Sequence, residues 1–442
     1  MKRQKASHPP RAQSGRRTAG HVIVIAIVSA IAGYVLAITA AKSSAPEETV
    51  YDLPHDFRVT DATFLPSALP GPAMTSGNRI DILENGDQIF PPMLQAIAAA
   101  TKTVNFEAYI FWSGEVGSRF RDALAERAAH GVQVRVLLDA VGSLESKLKA
   151  SDVDVMKKAG ARVEFFHSKM PWELWVLNHR NHRRVLVVDG RVGFTGGVGF
   201  ADEWAGNADS PEHWRDTQVR VEGPAVRGLQ RAFQENWSET TGEALVGDEF
   251  FPDLPPAGSL SAAVVPSSPL AAMSGAGRVY AISLAAAAKE LWIANSYFVP
   301  DEEATNLLVA AVKRGVDVRL IVPSDQHNDV PATKAAGRAG YGPLLEGGVK
   351  IFEYEPTMFH PKTMVVDGIF STVGSANFDE RSFHLNEEVN LFVYDQGFAA
   401  QMRERYERDL EVCKPYTLEM WKARPLKKRF SEWITGPIRS EL

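Results

Sequence analysis

The 442-residue chain has a single cysteine, Cys413. That excludes an internal disulfide and any zinc site built from several cysteines. Excess positive charge is also missing: the net charge is −6 and the pI about 6.0. No global basic field therefore gathers nucleic acid, and none is expected as a partner. Gly196-Gly197-Val198-Gly199 lacks the spacing and the Lys-Ser/Thr ending of a nucleotide loop, and reads as a strand turn. What the chain does have is an ordinary globular composition, 45% hydrophobic and 23% charged, enough for two or three buried cores.

The amino terminus carries Lys2, Arg3, Lys5, Arg11, Arg16 and Arg17 ahead of an uncharged run, Val22 to Ala41. Those 20 residues match the length of a bilayer-crossing helix. The expected order is a basic cytoplasmic tail over 1–19, a transmembrane anchor over 20–41 and a linker over 42–77. The positive-inside rule puts everything after the anchor across the cell membrane, on the extracytoplasmic side. A cleaved signal peptide is the rival reading of the same residues.

From Asn78 the same succession of elements occurs twice. In the first pass a helix over 91–100 precedes a strand over 103–111, a helix over 117–129, a buried strand over 131–138 and a short strand over 160–166. In the second, the matching segments are 280–288, 289–298, 302–314, 315–322 and 348–354. Alternating strands and helices predict an α/β fold with mainly parallel sheets. A repeat this long is a domain, so two duplicated domains, 78–252 and 277–412, are expected around a pseudo-twofold axis, their two motifs facing one shared active site. A linker over 253–276 joins them, and a basic, aromatic tail spans 413–442.

Each copy ends in a histidine motif: His182-Arg183-Arg184 running to Asp189, and His360-Pro361-Lys362 running to Asp367, each followed by glycine. Alternation along a strand points His360 and Lys362 the same way, where both meet one ligand. Asp189 and Asp367 stand at turns, as supports of the site or simply as turn formers. Gly374-Ser375-Ala376-Asn377 then supplies a hydroxyl and an amide suited to phosphate oxygens or to the side chains that hold them. Glu388, returning on an adjacent strand, is placed to fix the tautomer of His360, and Asp216 is its equivalent in the first copy.

These motifs, with Asn105 to Phe111, Tyr297 to Glu302 and Gly374 to Phe383, resemble the phospholipase D superfamily and its bacterial cardiolipin synthase branch. The resemblance implies two displacements at phosphorus, with His182 as nucleophile, His360 as proton donor and then acceptor, and Arg184 and Lys362 neutralising the phosphate. It implies phospholipid substrates, with phosphatidylglycerol as donor and acceptor, and neither cofactor nor metal. Hydrolysis by water, nuclease action and noncatalytic lipid binding remain as rivals. Two departures mark the first copy: Arg184 replaces the family's lysine, and Gly199 stands where Asn377 stands in the second. An apolar segment from Met170 to Leu177 precedes His182 and suits an acyl-chain pocket, a membrane interface or simple packing over the domain joint. The mixture of Trp421, Phe430 and Trp433 with Lys422, Lys427 and Arg429 suits an anionic lipid surface or a solvated helix.

Overall fold

The computed structural model describes residue 54 and residues 56–69, 74–143, 147–167, 179–269 and 275–436. The expected cytoplasmic tail and anchor, and the segment from Met170 to Leu177, lie outside the described residues. Among the described residues no helix is long and apolar enough to cross a membrane.

In the first half, β2 (Thr103–Ala108), β3 (Gln133–Asp139) and β4 (Arg162–Phe166) run parallel. The helices Glu115–Ala129 and Ala150–Lys158 provide the crossovers that parallel pairing requires. The chain then changes character. β5 (Val185–Val188) turns back on β6 (Val192–Gly196) through Asp189-Gly190, whose φ values are +50° and +63°. The Arg191 N–H closes this turn on the Val188 carbonyl (2.9 Å), and positive φ at both residues between them is met cheaply by Asp-Gly. Beyond lie β7 (Thr217–Glu222) and β1 (Thr75–Glu84), both antiparallel to their neighbours.

The second half repeats this with β8 (Leu260–Ser267), β9 (Glu290–Asn295), β11 (Asp317–Pro323), β12 (Lys350–Tyr354), β13 (Lys362–Val366), β14 (Phe370–Gly374) and β16 (Glu388–Tyr394). A small pair, β10 (Phe298–Val299) with β15 (Phe378–Asp379), stands apart, and β17 (Cys413–Tyr416) adds to the edge at β12. Asp367-Gly368 makes the matching hairpin, with φ of +52° and +66°. β1 and β8, corresponding strands, pair antiparallel and join both halves into one 15-stranded sheet. One cluster of buried residues draws on both halves, including Val185, Val187 and Val219 with Val365, Val389 and Leu391.

The expectation of mainly parallel sheets is corrected: in each half three strands of the main sheet are parallel and its other strands are antiparallel, the small β10–β15 pair also being parallel. These strands are buried on both faces, so their apolar runs read the same in either direction. The Asp-Gly turns, too short for a crossover, fix the direction. The segment 253–276 is also more than a linker, since it contains β8. The helix Phe64–Ala68 and the start of β1 fall within 42–77, and the tail contributes β17 and the helix Leu426–Thr435.

Candidate active site

The two motif histidines enter their strands through a crossed pair of backbone contacts. The His182 N–H donates to the Glu387 carbonyl (2.9 Å) and the Glu387 N–H to the Arg180 carbonyl (2.8 Å). In mirror fashion, the His360 N–H donates to the Arg215 carbonyl (2.8 Å) and the Arg215 N–H to the Met358 carbonyl (3.0 Å). The lead-in to each histidine is thereby stitched to the lead-in of the carboxylate strand in the other half. His182 Nδ1 lies 2.8 and 3.0 Å from the two oxygens of Glu388, and His360 Nδ1 lies 2.7 Å from Asp216 Oδ2.

This corrects the pairing expected from the sequence, which kept Glu388 with His360 and Asp216 with His182. Within one half the histidine and carboxylate strands are separated by a third strand, roughly 10 Å of sheet. The pseudo-twofold instead lays the other half's carboxylate against each imidazole. The two motifs consequently form one electrostatic site, in which Lys362 acts on His182 and Arg184 acts on His360.

With Nδ1 occupied, Nε2 is the reactive edge of each ring, and each motif places its cation there. Arg184 Nη2 sits 3.0 Å from His182 Nε2 while Nη1 donates to the His182 carbonyl (2.6 Å). Because a guanidinium only donates, His182 Nε2 faces it with its lone pair. Arg184 Nε is buried and has no hydrogen-bond partner among the described residues. A buried orphan donor beside the reactive nitrogen suits an anionic oxygen. Lys362 Nζ lies 2.9 Å from His360 Nε2 and donates to Ser296 Oγ (2.7 Å), which donates in turn to Asn377 Oδ1 (3.1 Å).

The glycines of the first copy have a steric explanation. In the second half, Ser375 Oγ donates to Glu388 (2.5 Å). In the first half, the indole Nε1 of Trp204 donates to Asp216 Oδ2 (2.8 Å) instead. A Cβ at Gly199 would stand 2.8 Å from the Trp204 ring, and one at Gly197 would stand 2.3 Å from Asp216 Oδ1. The two glycines therefore clear the space into which indole and carboxylate pack. The Trp204 ring meets His360 edge-on at 5.2 Å, with Trp214 at 5.6 Å.

Electrostatics separate the two pairs. Burial, reinforced by Arg184 and Lys362, holds His182 well below its ordinary pKa, and burial with Lys362 drives His360 to about 3. Burial raises Glu388 to about 7. Burial also pushes Asp216 upward, but the charges of His360 and Lys362 and the bond to His360 outweigh it, leaving this carboxyl below its usual range. Lys362, desolvated in the same site, falls to about 7.

Asp189 and Asp367 lie elsewhere, at the far ends of β5 and β13. Asp189 accepts from the backbone N–H groups of Thr101, Lys102 and Thr103, and Asp367 from those of Ala288, Lys289 and Glu290. They tie each hairpin to the start of a parallel strand and touch neither imidazole. Several residues of the site were not among the candidates read from the sequence. Tyr109 and Tyr297 set their rings against His182 (4.8 Å) and His360 (5.9 Å), and their matching places in the repeat were the available signal. Arg183, wholly buried, reaches Glu387, Glu235 and the carbonyls of Ala232, Ser267 and Glu388. Nothing in the sequence distinguished it from the variable middle position of the motif.

A family model described as "Cardiolipin synthase, PLD-like domain" matches residues 93–237 and 280–410. A cardiolipin synthase of a Geobacillus species is 35% identical over 357 residues, 80% of this chain and 70% of that protein. Cardiolipin synthase 2 of Bacillus anthracis is 35% identical over 353 residues, 79% and 68% of the two chains. Among solved structures, phosphatidylserine synthase of Haemophilus influenzae aligns with a TM-score of 0.59 over 82% of this chain and 95% of that one. At 16% identity this likeness bears on the fold alone.

Proposed function

Since the chain belongs to the phospholipase D-like cardiolipin synthase family and is a phosphatidyltransferase of that type, we propose that it transfers a phosphatidyl group between two phosphatidylglycerols through a phosphohistidine on His182. The observation that carries this reading is the crossed pair of imidazoles, each tied at Nδ1 to a carboxylate and flanked at Nε2 by a cation.

In the first displacement His182 Nε2 forms a bond to phosphorus, and the bond from phosphorus to the departing glycerol oxygen breaks. That oxygen takes a proton from His360 Nε2. The division of labour follows from the carboxylates. Asp216, held ionised, supports a charged His360, whereas Glu388, raised to about 7, leaves His182 the neutral partner. A phosphodiester is anionic, so its arrival opposes the cations that depress His360 and favours protonation there. Arg184 and Lys362 face the nonbridging oxygens, a stabilisation that grows as charge develops in the transition state. In the second displacement the hydroxyl of another phosphatidylglycerol gives its proton to His360 Nε2 and attacks phosphorus, releasing His182 and cardiolipin.

Trp204, Trp214, Tyr109 and Tyr297 wall both imidazoles with apolar rings, which favours a lipid alcohol over water as acceptor. The basic residues before Val22 and the uncharged run after it support a single-pass anchor with the catalytic body on the extracytoplasmic side. The experiment is turnover of labelled phosphatidylglycerol by the purified full-length protein, quenched in alkali, where phosphohistidine survives. Cardiolipin, free glycerol and label on His182 are expected. Phosphatidic acid as the main product, or label on His360, overturns the assignment.

A further inference from the structure

The helix Leu426–Thr435 is inside out. A helix lying on a protein normally turns its apolar stripe to the core. Here the polar residues Glu432 and Thr435 are buried, and Glu432 accepts from Arg338 Nε and Arg424 Nε, both at 2.7 Å. Leu426, Phe430, Trp433 and Ile434 face outward, 80, 61, 74 and 47% exposed. At about 100° per residue these four fill one stripe of roughly 100°. Lys427 and Arg429 fall just beyond its two edges, and Glu432 and Thr435 lie opposite. The rings of Phe430 and Trp433 stack at 6.1 Å. Among the described residues, no other Phe or Trp is so exposed.

Ion pairs rather than apolar contacts hold this helix to the body, and its apolar face has no partner in the described chain. A stripe with Phe near its centre, Trp along one edge and a cation beyond each margin matches the surface of an anionic bilayer. There the rings enter the headgroup boundary and the long basic side chains reach lipid phosphates. Its position gives docking a purpose. Arg338 belongs to the helix Pro331–Ala339, and Gly337 of that helix packs so closely on Phe298 that a Cβ would stand 2.4 Å from its carbonyl oxygen. Phe298 follows Tyr297, whose ring meets His360.

We propose that Leu426–Thr435 is a docking helix for an anionic phospholipid surface and sets the His360 side of the site against that surface. The inference rests on the chain acting on phospholipids. The test uses the full chain carrying Cys413→Ser and Trp433→Cys, with an environment-sensitive fluorophore on the new thiol, reconstituted in vesicles of phosphatidylglycerol and phosphatidylcholine. Quenching of the label by lipids with a nitroxide near the headgroup is expected. It should weaken in pure phosphatidylcholine and fall by roughly 30-fold in effective affinity with each of Lys427→Glu and Arg429→Glu. Both charge reversals should slow turnover of vesicle lipid while leaving turnover of a dispersed short-chain phosphatidylglycerol unchanged.

An unquenched label on protein that still makes cardiolipin overturns docking and leaves the proposed function intact. A quenched label without cardiolipin supports docking and counts against that function. Unquenched label together with disulfide-linked dimers through position 433, when the thiol is left free, shows that a second copy covers the face and overturns the proposal.

Discussion

Replacing Asp216 with asparagine tests the crossed pairing and the roles of the two histidines together. Asparagine keeps the shape but removes the charge 2.7 Å from His360 Nδ1. At an effective dielectric constant of about 20, a unit charge at that distance is worth about 6 kcal/mol to an imidazolium. Loss of the orienting aspartate in a serine-protease triad costs about 10⁴-fold, near 5.5 kcal/mol. Asp216→Asn should accordingly lower kcat for cardiolipin formation by about 10³- to 10⁴-fold. The assay that gives this drop its meaning is single-turnover formation of phosphohistidine from a phosphatidyl ester of p-nitrophenol, a leaving group that needs no proton. With this substrate Asp216→Asn should label His182 within about tenfold of the wild-type rate, because the missing function is acid catalysis by His360. Glu388→Gln should remain slow with both substrates, since it disturbs the nucleophile. The opposite pattern, with the activated ester rescuing Glu388→Gln and not Asp216→Asn, would refute the combination of crossed catalytic pairs with His182 as nucleophile and His360 as acid.

Trp204→Phe removes the indole donor to Asp216, a bond to a charged acceptor worth about 1.5–3 kcal/mol, so kcat/KM should fall roughly 10- to 150-fold. Gly199→Asn alone should destabilise the protein by collision with the indole, and Trp204→Phe in the same chain should restore part of the loss in a thermal unfolding cycle. Lys362, lowered to about 7, sheds its charge as pH rises through that value, so kcat/KM should decline on the alkaline side. Lys362→Arg keeps its charge and should move that decline upward, and an unchanged alkaline limb would exclude Lys362 as its source. Asp367→Ala deletes acceptors for three backbone N–H groups and leaves a positive φ to alanine. A loss of about 3 kcal/mol in denaturant unfolding is expected, with kcat of the folded enzyme retained.

Much of this was legible in the chain. The duplication, the strand–helix order of each copy and the two Asp-Gly turns could be read from periodicity and turn chemistry, because both are local properties of neighbouring residues. Strand direction was not legible past the turns, because Val185–Val188 in β5 and Lys362–Val366 in β13 are buried on both faces and carry no alternation of burial. Gly199, which in the sequence looked like a lost amide, is in the structure the clearance for Trp204. No local pattern announces that contact, and Trp204 was never among the candidates.

The sequence by itself determined which residue types the two motifs bring: two histidines, each two positions ahead of a cation, with a carboxylate further along the chain. Tertiary structure decided which carboxylate serves which histidine. That choice is made by the stitching of Asn181 to Glu387 and of Arg215 to Phe359 across the two halves, contacts between residues far apart in the chain. A repeat states that two similar half-sites exist. Only their packing about the pseudo-twofold makes each half supply the other's carboxylate.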